Sequence, residues 1–230
     1  MRVGVIPDLH LPFDHPMFLR FCLDTFDQWR VDTIHCTGDV VDAHALSFHD
    51  REMDAFGAEE EARMAAEAME KWKAAFPTMT VSVGNHDRRH YNRAKRYGIP
   101  TRYFRTYDDI WNTPGWTWDT THEIDGVLYE HGELTSGKNA AYNRALYKRS
   151  SVVIGHIHTF AGVTWHMSEK DRIFGLNAGC GIDIDAYAFE YAKGYVHRPS
   201  IGCGIVLNGE FAYWEPMPCG PKEPYHKARA

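Results

Sequence analysis

The sequence lacks the marks of several protein classes. No two of its five cysteines stand at a CxxC spacing, and the number is odd. That argues against a disulfide framework and predicts reduced thiols in a cytoplasmic setting. No apolar run approaches the roughly 18 residues of a membrane span, and no charged leader precedes an apolar stretch. We therefore expect neither a membrane segment nor a signal peptide. Positive charge is in deficit, with 25 Lys and Arg against 31 Asp and Glu, for a net charge of −6. Nothing in the overall balance draws the chain toward nucleic acid, although local patches are a separate matter. Internal repeats, low-complexity tracts and linkers are also missing.

What remains has the composition of a soluble globular protein. The 230 residues are 44% hydrophobic and 24% charged, enough for a sizeable core in one ordinary domain. We place that domain at residues 1–216, with a loose Pro- and Gly-containing tail at 217–230. "MRVGVI" reads as a buried strand. Residues 15–30 carry Phe18, Leu19, Phe21, Cys22, Leu23 and Phe26 at helical spacing. A second strand leads into a Gly-Asp turn at 38–39, and an Ala- and Glu-rich helix ends before Pro77. A third strand, a basic helix stopped by Gly98, and a hairpin turning at Asp125-Gly126 follow. Next come a helix within 138–149 and a strand ending at 158. After that the chain reads as strands, with a second hairpin turn at Asn208-Gly209. Strands and helices thus alternate to about residue 155. This order predicts a layered α/β protein with one mixed sheet, or two packed face to face.

Five strand ends share one kind of punctuation. They read Asp8-Leu9-His10, Gly38-Asp39-Val40-Val41-Asp42, Gly84-Asn85-His86-Asp87, His131-Gly132 and Gly155-His156-Ile157-His158. Ligands of open α/β sheets collect beyond the carboxyl ends of strands. Asp, His and Asn offer oxygen and imidazole donors, and no cysteine joins them, so this is no structural zinc finger. Mixed carboxylate and imidazole donors suit Mn, Fe, Zn, Co or Ni more than Ca. The donors are too many for one ion. Two ions about 3.5–4 Å apart, bridged by a carboxylate, would use them all.

This ordered set resembles the calcineurin-like metallophosphoesterase superfamily, whose blocks run D-x-H, G-D-x-x-D, G-N-H-D/E, H and G-H-x-H. The match spans residues 8–158 and suggests a small stand-alone member of the bacterial or phage kind. The resemblance implies a four-layer α-β-β-α sandwich of two mixed sheets, with the metal site at strand carboxyl ends. It implies that Asp8, His10 and His158 hold one divalent ion and Asn85, His131 and His156 a second, with Asp39 between them. Manganese is the first choice of ion, with Fe, Zn, Ni or Co as alternatives. His86 would face the substrate and protonate the leaving group, and Asp42 would hydrogen-bond His86. The implied activity is phosphoester hydrolysis, as phosphodiesterase or phosphatase, by a metal-bound hydroxide. A small DNA or RNA nuclease and a non-catalytic interaction module are the alternatives on the same fold.

Other residues stand close to these blocks in sequence. Arg88 and Arg89 follow the GNHD turn, and either could clamp a phosphate with its planar fork. They open a run of seven basic residues to Arg105 without an acidic one. That run leads into Tyr103, Phe104, Tyr107, Trp111, Trp116 and Trp118, read here as core residues of a short strand pair. The rival reading is a surface on which bases stack, so the expected partner is a phosphoester, with a nucleotide or nucleic acid among the candidates. His44 and His49 could edge the cleft. Asn177, Gly179 and Cys180 could form a substrate loop. The Glu-rich stretch at 59–70 reads as an ordinary exposed helix.

Overall fold

The structure, a computed structural model, describes residues 1–48, 55–183, 186 and 198–218. Its centre is β1 (Arg2–Ile6), four of whose five residues are buried. Val3 and Val5 point to one side and join the core between two sheets, while Ile6 joins the core beneath the helices. Period-two alternation with both faces apolar marks a strand covered on each side.

Strand β1 lies between β2 (Thr33–Cys36), which runs parallel to it, and β10 (Gly202–Leu207), which runs antiparallel. With β3 (Met79–Ser82), β4 (Trp116–Asp119) and β11 (Phe211–Pro216) the first sheet has the order β11-β10-β1-β2-β3-β4. The second sheet has the order β5-β6-β7-β9-β8. Its strands are β5 (Thr121–Ile124), β6 (Val127–Glu130), β7 (Val152–Ile154), β8 (Gly162–Met167) and β9 (Arg172–Asn177). Both sheets mix parallel and antiparallel pairs. The chain first passes from one sheet to the other between β4 and β5, with Thr120 as the single residue between them. Both expected hairpin turns form, with Asp125, Gly126, Asn208 and Gly209 all at positive φ, as a type I′ turn requires.

Helices cover the outer faces. Helix α1 (Phe18–Trp29) buries Phe18, Phe21, Cys22, Thr25 and Phe26, a stripe at the i, i+3, i+4 spacing. Helix α2 (Ala58–Ala75) buries Glu61, Ala65, Met69 and Trp72. Both stripes share a core with Ile6, Cys36 and Val81 of the first sheet. On the far side α5 (Ala140–Lys148) lays Ala140, Ala141 and Ala145 against Val152, Ile154 and Ile173. The layers are therefore helix, sheet, sheet, helix, the architecture the resemblance implied.

The segment at 99–118 departs from the sequence reading. It forms a three-residue 3₁₀ turn, the short α4 (Tyr107–Trp111) and the single edge strand β4, with no strand pair. Trp116 is buried in the core, as expected. Met217 is also buried and bonds through its N–H to Ile201, whereas residues 219–230 lie outside the described ones. No helix among the described residues is long and apolar enough to cross a membrane.

Trp72 is 1% exposed and packs against Phe18 and Phe76. Trp72→Ala should therefore cost about 3–5 kcal/mol in urea denaturation. The same change at half-exposed Leu23 should cost under about 1 kcal/mol. Equal losses would contradict this placement of the core.

Candidate metal centre

Strand register brings the blocks to one level. Ile6 pairs with Cys36, and Cys36 with Val81, so the loops carrying Asp8, Asp39 and Asn85 leave the first sheet together. In the second sheet Glu130 pairs with Ile154 and Ile154 with Asn177, which aligns the exits toward His131 and His156. The Asp39 carbonyl accepts the N–H groups of Leu9 and His10 at 3.1 and 2.9 Å. His10, Asp39 and His156 all sit at positive φ, uncommon for residues with side chains. Two glycines make room: a Cβ on Gly84 would lie 2.1 Å from Asp39 Oδ1, and one on Gly155 2.0 Å from Asp8 Oδ1.

Donor atoms then meet in two sets, with a third group of His10, Asp39 and His86 overlapping both. In the first, Asp8, His10 and His158 place ligand atoms within 4.8 Å of one another. His158 Nε2 lies 3.0 Å from Asp8 Oδ2. Asp39, His131 and His156 form the second set under the same limit. His131 Nε2 is 2.9 Å from Asn85 Oδ1, 3.2 Å from Asp39 Oδ2 and 3.2 Å from His156 Nδ1. Asp39 Oδ2 is also 3.8 Å from His10 Nε2, so this carboxylate stands between the sets.

His86 lies beside them. Its Nδ1 faces the Asp42 backbone carbonyl at 2.9 Å and the Asp42 carboxylate at 3.2 Å. The Asp42 carboxylate is closer still to His10 Nδ1, at 2.6 Å, so it serves two imidazoles where the sequence reading gave it one. Arg89 donates to the Asp42 carbonyl at 2.8 Å and lies 3.0 Å from His86 Nε2. Arg88 turns away and pairs with Glu133.

Burial opposes the ionised form of every carboxylate here, but partners overcome it at three. His131 and His158 hold Asp8 low, His131 and His86 hold Asp39 well below the usual range, and His10 and His86 do the same for Asp42. At Asp87 burial and the Asp39 charge outweigh the N–H groups of Gly84 and Val41 and the His131 charge, and push it up to about 7. Burial would lower His86 and His131 too. Asp39 and Asp42 raise His86 instead, and Asp39 with Asp8 raises His131 to about 10. Burial and His86 lower His10, and burial with His131 lowers His156.

A family model described as calcineurin-like phosphoesterase matches residues 1–177. The chain belongs to that family. Comparison with curated proteins finds no match. Among solved structures, vacuolar protein sorting 29 of Cryptosporidium parvum is similar, at 15% identity over 89% of this chain and 83% of that one, with a TM-score of 0.45. YfcE, a phosphoesterase from E. coli, is similar at 15% identity over 90% and 89%, with a TM-score of 0.45. A single mutant of Vps29 from Entamoeba histolytica is similar at 16% identity over 89% and 84%, with a TM-score of 0.41.

The donor set of this calcineurin-like phosphoesterase fits divalent ions. Asp8, Asp39 and Asp42 are buried within reach of one another's imidazole partners. The ring nitrogens of His131 and His156 face each other at 3.2 Å, an arrangement that a shared cation satisfies without a proton between them. Outer partners orient the donors, as ligands of metal sites require. Thr37 donates to Asp8 Oδ1 at 3.1 Å, and its carbonyl lies 3.0 Å from His131 Nδ1. Asp87 accepts the N–H groups of Val41 and Gly84, tying the two first-sheet turns together. Asn177 donates to the carbonyls of Ile157 and Phe160 and so braces the GHIH loop, where the sequence suggested a substrate loop. Glu61 is buried, not exposed, and accepts the N–H groups of His44 and Ala45. His44 Nδ1 comes within 3.8 Å of Asp42, and His49 lies outside the described residues. Of these braces, Asp87 ends the GNHD block, whereas Thr37 and Glu61 carry no motif.

A metal ligand must be deprotonated. His131, with its value near 10, carries its proton at pH 7, so metal uptake must release it. Calorimetry of Mn²⁺ binding in buffers of different ionisation enthalpy should show release of at least about one proton at pH 7. Apparent affinity should rise with pH up to that value. Uptake without proton release would contradict the charge pattern.

Proposed function

We propose that this calcineurin-like phosphoesterase is a dinuclear metal-dependent phosphoester hydrolase. The observation that carries the reading is the pair of donor sets with Asp39 between them, a member of the second and 3.8 Å from His10 of the first, and with His86 3.9 Å from the same carboxylate. Asp8, His10 and His158 would hold one ion and Asn85, His131 and His156 the other, with manganese the first choice. When bound, the ions would supply Lewis acidity toward a phosphoryl group and an activated water.

The chain's own residues do the rest. Asp42 fixes the His86 ring through Nδ1 and leaves Nε2 to face the substrate. Its neighbours Asp39 and Asp42 raise the His86 pKa, so the ring keeps a proton to give to the leaving oxygen. Arg89 Nη2 stands 3.0 Å from Nε2, and with the ring protonated the guanidinium is left to donate to a phosphoryl oxygen. Arg88, paired with Glu133, is given no such role.

His86→Ala should lower turnover of bis-p-nitrophenyl phosphate with Mn²⁺ by about 10²–10⁴-fold. Metal content should stay near that of the unmodified protein, whereas Asp39→Ala should lose metal and activity together. Arg89→Ala should raise KM more than Arg88→Ala does. A fully active His86→Ala protein would sink the assigned role.

A further inference from the structure

Residues 88–105 hold seven of the chain's 25 basic residues and none of its 31 acidic ones. This cationic stretch therefore stands on an otherwise strongly acidic protein. It begins at the candidate centre. Arg89 touches His86, and α3 (Arg89–Arg96) runs on from there for about 12 Å. Tyr91 bonds the Arg105 carbonyl at 2.5 Å and packs on Phe104 at 5.1 Å, so the stretch folds back on itself as an ordered elbow.

The aromatics of this region divide into two groups. Tyr91, Phe104, Tyr107 and Trp118 pack on one another. Tyr97 and Tyr103 do not, being 76% and 72% exposed. The cations divide as well. Arg88 and Arg89 reach carboxylates, and Arg93 and Arg96 lie over the Phe48 ring. Among the described residues Lys95, Arg102 and Arg105 have no carboxylate partner.

Unpaired cations beside free aromatic faces match the two demands of a single strand, which carries a phosphate at every step and bases able to stack. A duplex hides its base faces from such stacking. We infer that the 88–105 elbow binds single-stranded nucleic acid and leads it to the metal centre as substrate. Binding stands on the elbow alone; cleavage rests also on the proposed hydrolase function.

The test uses fluorescently labelled dT20, rU20 and a duplex of equal length, with anisotropy read in EDTA between about 50 and 200 mM salt. Single strands should bind, more tightly than the duplex. The pair Tyr97→Ala and Tyr103→Ala should weaken binding at least about tenfold. Lys95→Ser, Arg102→Ser and Arg105→Ser together should reduce the log–log salt slope by about two. Circular dichroism and hydrolysis of bis-p-nitrophenyl phosphate should stay unchanged in both variants. With Mn²⁺, whichever single strand binds should be shortened. No binding, equal binding by the variants, preference for the duplex, or capture by anionic vesicles in place of oligonucleotide would overturn the surface. Binding without shortening, by protein that still cleaves the small ester, would overturn the substrate assignment. A protein inert on the small ester would instead overturn the hydrolase reading, and the binding result would stand independently.

Discussion

The Asp39 carboxylate is the point on which the rest of the arrangement depends. An isolated charge in a protein interior is costly and persists only with partners on every side. Asp39 is almost wholly buried. Its Oδ1 accepts the His86 N–H at 2.7 Å, and its Oδ2 reaches His131, His10 and His86. Its own carbonyl holds the loop that carries His10. The backbone at Asp39 is left-handed, which places the side chain inward, and Gly84 gives up its side chain to make the space. Removing this carboxylate would leave several imidazoles without the anion that balances them.

The fold supplies that point with neighbours. Parallel strands end level within each sheet, and the two sheets lie face to face, so loops far apart in sequence meet at one edge. His158 and Asp8 are in hydrogen-bond contact across 150 positions of chain. Three residues of this edge, His10, Asp39 and His156, adopt positive φ. Beneath it lies an apolar core with ordinary alternation and ordinary helix stripes. The division is physical: the core supplies stability, and the loop backbone absorbs the distortion that brings polar atoms together.

The sequence made the repetitive parts legible. The stripe Phe18, Phe21, Cys22 and Phe26 announces a helix, and Asp125-Gly126 and Asn208-Gly209 announce hairpins, because each is set by local chemistry. The strand-end blocks were legible for the same reason, as short motifs after apolar runs. Features set by distant contacts were hidden. Glu61 looked like one glutamate of an exposed helix until the 44–45 turn was seen resting on it. Arg88 and Arg89 are adjacent and chemically identical, and only their partners, Glu133 for one and Asp42 with His86 for the other, tell them apart. Thr37 carries no motif, although both its hydroxyl and its carbonyl serve the site. The aromatics at 97–118 could not be divided into packed and exposed sets until their neighbours were known.

Soaking crystals in manganese and measuring anomalous scattering at the manganese edge addresses the central claim most directly. Two peaks are predicted, about 3.5–4 Å apart. One should touch Asp8, His10 and His158 and the other Asn85, His131 and His156, with Asp39 contacting both. A single peak, or none at saturating manganese in a folded protein, would contradict it.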